Sequence, residues 1–253
     1  MSSRLPLSNV LPYFVESQRN NVQEHVLQFE NFLTMLQYRK AYGVTLRYIK
    51  QGMKVLDWGC GNGHFSHFLC NQKVDTTAFS FDKAPNILEN EPFFHFVQGD
   101  FHEPVILPFA DSTFDIVFSI GVLEHVYETG GTEEKSLQEI RRVLKSGGRF
   151  LCFHFPNRYQ WVEPVGKFLG LSEYFHIRKY TNKNIQQLGE KIGFQIDEIG
   201  RYNFFPRNQL RFLPARFKQN TLAIHLFEFV DNFFSRLLPW FCTNYYFIAQ
   251  VKK

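Results

Sequence analysis

Short apolar runs broken by polar turns fill the middle of the chain, while both ends carry apolar residues at helical spacing. Residues 55–57 form a run closed by Asp57, residues 77–81 a second closed by Asp82, and residues 94–97 a third followed by Gln98-Gly99-Asp100-Phe101. Residues 114–119 are almost continuously apolar, the pattern of a parallel strand buried on both faces. Gly121-Val122-Leu123-Glu124-His125-Val126 then predicts a turn and the start of a helix. Leu144-Lys145-Ser146-Gly147-Gly148 predicts a turn into a fifth strand at 150–155. Thr181 is placed to cap a helix that runs to Gly193, ahead of a sixth strand at 194–200, and residues 245–251 predict the last strand.

The ends follow a different period. Val22, Val26, Phe29, Leu33 and Leu36 recur on one helical face, so residues from about 16 to 50 predict helices laid over the rest. Between the sixth and last strands lie more than forty residues, where a hairpin needs only a few. Within them, residues 221–238 predict an amphipathic helix, apolar at 223, 226, 227, 230, 233, 234, 237 and 238, polar at 225, 228, 231, 232, 235 and 236, and stopped by Pro239. Upstream of it, Arg207, Arg211, Arg216 and Lys218 alternate with Phe205, Leu210, Phe212 and Phe217. Such a stretch suits a lid over an apolar substrate, an oligomer contact, a surface resting on a membrane, or a helix docked on its own domain.

The most specific chemistry lies in Val55-Leu56-Asp57-Trp58-Gly59-Cys60-Gly61-Asn62-Gly63. Glycines 59, 61 and 63 let the backbone turn tightly and approach a ligand with no Cβ between them. A dinucleotide fingerprint would need its third glycine at position 64, which is His64. The pattern D-x-G-x-G-x-G, with the acid before the first glycine, resembles the first motif of class I S-adenosylmethionine (SAM) methyltransferases. The landmarks at Asp82, Asp100, 114–126 and 144–155 follow in the order of that family, over residues 44–201 or so.

The resemblance implies an α/β fold: a Rossmann-like, seven-stranded, mostly parallel sheet with helices on both faces, plus an N-terminal helical cap and a helical insertion before the last strand. It implies a cap at 1–50, a SAM-binding core at 51–202, a substrate lid at 203–243 and the last core strand at 244–253. SAM would be held by Asp57, Trp58, Gly59, Gly61 and Gly63, by Asp82 and Lys83 at the ribose, by Asp100 and Phe101 at the adenine, and by Ile120. Asp82 stands 25 residues beyond Asp57, where a carboxylate can accept both ribose hydroxyls.

Composition narrows the class. The 253 residues are 44% hydrophobic and 21% charged, enough for a full core. Cysteines at 60, 70, 152 and 242 show no C-x-x-C pairing, which fits reduced thiols in a cytoplasmic setting and leaves no metal site expected. No basic region followed by an apolar run opens the chain, so no signal peptide is expected, and no stretch reaches the length of a membrane span. The net charge of +4 without a Lys/Arg-rich block argues against a nucleic-acid partner. Thirty Phe and 17% aromatics exceed what a nucleotide fold needs to pack, and Tyr38, Arg39 and Tyr42 are placed where an aromatic face could meet a sulfonium.

A small-molecule acceptor is expected. The motif Asn/Asp-Pro-Pro-Tyr/Phe, which marks amino methylation of bases and glutamine, is replaced by Ser119-Ile120-Gly121-Val122. O-methylation of an apolar or aromatic metabolite is therefore the first expectation, with N- or C-methylation, an RNA or protein acceptor, and a non-catalytic SAM-binding protein as alternatives. Removing a hydroxyl proton calls for a base near neutral pH. His154 at the end of the fifth strand ranks first, then His176 in the segment after it, then His125. A homodimer and a membrane contact stay open.

Overall fold

The computed structural model describes residues 10–19, 29, 32–170, 176–206, 214, 217 and 220–252. Val22 and Val26, Glu173 and Tyr174, and Arg207, Leu210, Arg211, Phe212, Arg216 and Lys218 lie outside the described residues.

Seven strands form one sheet in the order β3-β2-β1-β4-β5-β7-β6. They are β1 (Lys54–Trp58), β2 (Asp75–Ser80), β3 (Phe94–Gln98), β4 (Phe114–Ile120), β5 (Leu144–Pro156), β6 (Phe194–Tyr202) and β7 (Asn244–Val251). The β3/β2, β2/β1, β1/β4 and β4/β5 pairings are parallel, with Leu56 opposite Thr77 on one side and Val117 on the other. The order reverses between β1 and β4, and open α/β sheets place their ligand crevice at the carboxyl ends of strands flanking such a switch. Val55, Leu56, Val117, Phe118 and residues 150–153 are fully buried, as strands covered on both faces must be.

The helices begin α1 (Val10–Arg19), α2 (Phe32–Met35), α3 (Arg39–Thr45), α4 (His64–Asn71) and α5 (Glu133–Val143), and continue α6 (Val162–Phe168), α7 (Asn182–Ile192) and α8 (Thr221–Leu237). Their ends follow local chemistry. Thr132 accepts from the Lys135 N–H at the start of α5, with Glu133 and Glu134 in its first turn and Arg141 and Arg142 in its last, matching the helix dipole. Thr181 and Asn184 form a reciprocal capping box on α7, and the Asn220 side chain caps α8.

The fifth strand begins earlier than its sequence predicts. Leu144 already pairs with Phe114, and a register shift follows before Arg149 pairs with Ile116. Gly147 takes φ +75, and a Cβ on Gly148 would lie 2.8 Å from the Lys145 carbonyl, so the two glycines form an irregularity inside the strand rather than a turn before it.

The chain falls into two compact units. The sheet unit comprises Tyr48–Phe155, Tyr180–Gly200 and Tyr246–Lys253. The helical unit comprises Met1–Arg47, Pro156–Lys179 and Arg201–Tyr245. In the helical unit Tyr42 is buried against Phe14, Tyr13 and Tyr38, with ring centroids 5.4, 5.9 and 6.2 Å away. Arg39 lies 2.8 Å from Glu228 on α8. Tyr38, Arg39 and Tyr42 are thus engaged in packing and pairing within this unit. The Asn157 side chain donates 2.7 Å bonds to the Trp240 and Cys242 carbonyls, tying β5's exit to the chain after α8.

Candidate functional site

Three strand ends of the sheet unit converge at the switch point. The loop after β1 is built from left-handed turns: Gly59, Gly61 and Gly63 have φ of +77, +51 and +80. They are not equivalent. A Cβ on Gly59 would strike Val122 at 2.5 Å, and one on Gly63 would meet Pro85 and Leu88 at 2.8 Å. A Cβ on Gly61 would meet nothing within 4 Å. The outer two glycines therefore permit packing inside the protein, whereas Gly61 faces open space above the loop.

The Gly59 and Cys60 N–H groups both donate to the Phe79 carbonyl at 2.8 and 3.1 Å, so the loop is anchored to the end of β2. Asp57 is buried beneath it and accepts a 2.6 Å bond from Ser66 Oγ on α4. Burial pushes its carboxyl up to about 6 despite that bond. Trp58 is buried at the end of β1.

Asp82 and Lys83 are exposed beyond β2, and the Asp82 N–H donates to Ser80 Oγ at 3.2 Å. Asp100 is exposed beyond β3, where one carboxylate oxygen accepts the His102 N–H at 2.8 Å and so also holds the local turn. Phe101 is 63% exposed and stacks on Phe81, centroids 4.8 Å apart, offering its outer face to a planar group. Ile120 ends β4 half-buried.

Gly121 follows with φ +70 and donates to the Phe153 carbonyl of β5 at 3.1 Å. A Cβ there would lie 4.0 Å from His154 Cβ and 3.8 Å from a Glu124 carboxylate oxygen, so these two side chains flank one glycine. His154 itself takes φ +61, a left-handed conformation that costs a non-glycine residue about 1 kcal/mol or more. Burial, with His154 nearby, lowers His64 at the head of α4 to about 3, which keeps that imidazole neutral.

Glu124 was not singled out from the sequence. It is buried, its Oε2 has no hydrogen-bond partner among the described residues, and burial pushes its carboxyl up to about 8. The available signal was an acid inside the otherwise apolar run 121–126.

The three histidines have different local partners. His154 and His125 belong to the sheet unit and His176 to the helical unit. His125 Nδ1 lies 2.8 Å from the exposed Glu128 carboxylate, one turn along its own short helix. His176 Nδ1 lies 2.6 Å from Glu163, which Lys179 also contacts. Burial would raise the Glu163 carboxyl, but the bonds from His176 and Lys179 outweigh it and hold it below the usual carboxylate range. A carboxylate on Nδ1 fixes the proton there and leaves Nε2 as the basic nitrogen.

Comparison with known proteins places these features in context. Residues 56–152 match the family model described as a methyltransferase domain. A methyltransferase of Encephalitozoon cuniculi is 34% identical over 181 residues, spanning 64% of this chain and 81% of that protein. The sterol 24-C-methyltransferase of Aspergillus fumigatus is 32% identical over 123 residues, 45% of this chain and 29% of that protein. Among solved structures, the Burkholderia thailandensis 1,6-didemethyltoxoflavin-N1-methyltransferase with bound S-adenosylhomocysteine superimposes with a TM-score of 0.58 at 14% identity, covering 98% of this chain and 91% of that one.

Proposed function

We propose that this chain, which belongs to the class I SAM-dependent methyltransferases, methylates a small apolar or aromatic molecule, on oxygen in the first instance. Its cofactor is SAM, with S-adenosylhomocysteine as product. Asp57, Trp58, Gly59, Gly61 and Gly63 would form the wall of the cofactor cradle, Asp82 with Lys83 would take the ribose, Asp100 and Phe101 the adenine, and Ile120 the strand end beside it.

The sulfonium supplies an electrophilic methyl group when bound. The protein's part is to hold the acceptor oxygen in line with the S–CH3 bond and to exclude water. The hydroxyl proton released as the acceptor is methylated would pass to His154 Nε2. The observation that carries this assignment is the left-handed backbone of His154 beside Gly121, a strained conformation retained near the carboxyl end of β5. A second reading gives the proton to His176, because Glu163 leaves its Nε2 basic. The sterol methyltransferase among the relatives supports an apolar acceptor. The four cysteines are unpaired and buried, which supports a reducing, cytoplasmic setting.

Titration calorimetry with SAM, then methyl incorporation from labelled SAM into a fractionated cell extract, tests the reading. Label in apolar small molecules is the expected result. Label confined to the RNA or protein fraction would overturn the acceptor class, and SAM binding without incorporation into any fraction would overturn the catalysis.

A further inference from the structure

Helix α8 buries its two acids and exposes a stripe of apolar residues. Leu222, Leu226, Phe229, Phe233 and Leu237 recur at intervals of three and four, are 51–78% exposed, and fall within about a quarter of the helix circumference. Glu228 and Asp231 face the other way and are buried. Glu228 is paired with Arg39 at 2.8 Å, and Asp231 accepts the Phe205 N–H at 2.8 Å. The exposed polar positions of the helix, His225, Asn232 and Arg236, carry no acid. A helix that merely covered its own domain would show the reverse arrangement.

The wider surface is biased in the same way. Of the seventeen large apolar side chains exposed among the described residues, fifteen lie in the helical unit, so the exposure belongs to one part of the chain rather than to the surface at large. Residues 201–245 contain six Lys and Arg against only Glu228 and Asp231. That excess accounts for the whole formal charge of +4. With both acids buried, Arg236 is the exposed charged residue of α8 among the described residues. Trp240, 60% exposed just beyond α8, lies beneath the Arg201 guanidinium, 4.6 Å from its ring centroid. An indole paired with a cation suits the boundary between hydrocarbon and headgroups.

We propose that the outer face of α8, with Trp240 at its end, is a peripheral docking surface for an anionic lipid membrane. No helix among the described residues is long and apolar enough to cross a membrane, so the helix lies in the interface with its leucines and phenylalanines among the upper acyl chains. Charge decides against a second copy of the chain as the occupant. Two copies joined through this stripe would bring together two helix faces that carry Arg236 and no exposed acid, whereas anionic headgroups neutralise that charge. The proposal does not depend on the acceptor's identity.

The test uses the full chain and extruded vesicles of phosphatidylcholine, with or without about one third phosphatidylglycerol. Sedimentation should show binding to the anionic vesicles only, weakening in high salt, with the Trp240 emission shifting to the blue. The double variant Phe229→Asp, Phe233→Asp should bind about tenfold more weakly or worse. Both positions are exposed, so its melting temperature and SAM affinity should match the parent, which separates loss of docking from loss of fold. Arg236→Glu, which leaves the apolar stripe intact, should also weaken binding. Failure of the parent to bind, equal binding to neutral vesicles, or unchanged binding by the double variant would overturn the proposal. A dimer seen in the centrifuge and dissolved by the same double variant would overturn it in favour of self-association.

Discussion

Ser66 Oγ on α4 donates a 2.6 Å hydrogen bond to the buried Asp57 carboxylate at the end of β1. The bond crosses from the last turn of a core strand to the first turn of the helix that follows the glycine loop, so it fixes both ends of that loop. Ser66→Ala would remove the hydroxyl donor and leave the carboxylate only the Ser66 backbone N–H, at a cost of about 1–3 kcal/mol. The expected result is a lower melting temperature together with weaker SAM binding, because the loop loses its anchor. Calorimetry and a thermal melt on one sample check both, and an unchanged melt would mean that the loop is held elsewhere.

The glycines of the loop should respond differently to the same added methyl group. Gly59→Ala drives a Cβ into Val122 at 2.5 Å and should destabilise the fold. Gly61→Ala meets no protein atom, so its stability cost is limited to the φ +51 backbone, about 1 kcal/mol, while its methyl projects into the space assigned to the cofactor. The expected signature is a lowered melting temperature for Gly59→Ala, and weakened SAM binding with a nearly normal melt for Gly61→Ala. Asp82→Ala, at an exposed position, should behave like the second, losing roughly 1–3 kcal/mol of SAM affinity. If Gly61→Ala bound SAM like the parent, the open volume would belong to something other than the cofactor.

His154 combines strain with position, which allows stability and function to be separated. His154→Gly should relieve the left-handed backbone and hold or raise the melting temperature, while lowering turnover by roughly 10²–10⁴-fold. SAM affinity should stay near the parent value, since a base acts on the acceptor. Full turnover by this variant would shift attention to His176 and Glu163.

The parts of this site written in the sequence are those fixed by local rules. A strand ending in an acid before three glycines needs no distant partner to be recognised, and strands β1 to β4 followed from short apolar runs. Helix α8 shows where locality fails. Its extent was legible, from 221 to the stop at Pro239, but an inward apolar face predicts Leu226, Phe233 and Leu237 as buried, and all three are exposed. The inward positions are Ile224, Glu228 and Asp231, because Arg39, 189 residues away, supplies the charge that lets Glu228 be buried. Glu124 escaped notice for a related reason. Its identity is plain in the sequence, but its burial and its unpartnered oxygen depend on how β4 and β5 meet around Gly121.

Glu124 gives the sheet unit a pH dependence with a definite sign. Its carboxyl is pushed from 4.5 up to about 8 by burial, so between those values the folded protein holds a proton that the unfolded chain has released. Stability contributed by this group is complete below about 4.5 and is lost as the pH rises through 8. Asp57 has the same sign but finishes its change near 6, which leaves pH 6.5 to 8 as the window in which Glu124 dominates the pair. Glu124→Gln keeps the shape of the side chain and removes the titration. It should therefore melt above the parent by a margin that grows by about 2 kcal/mol from pH 6.5 to 8 and then levels off. Melting temperatures of both proteins across that range decide the matter. A difference that stays constant with pH would mean that Glu124 reaches a partner when ionised and does not titrate as a buried acid.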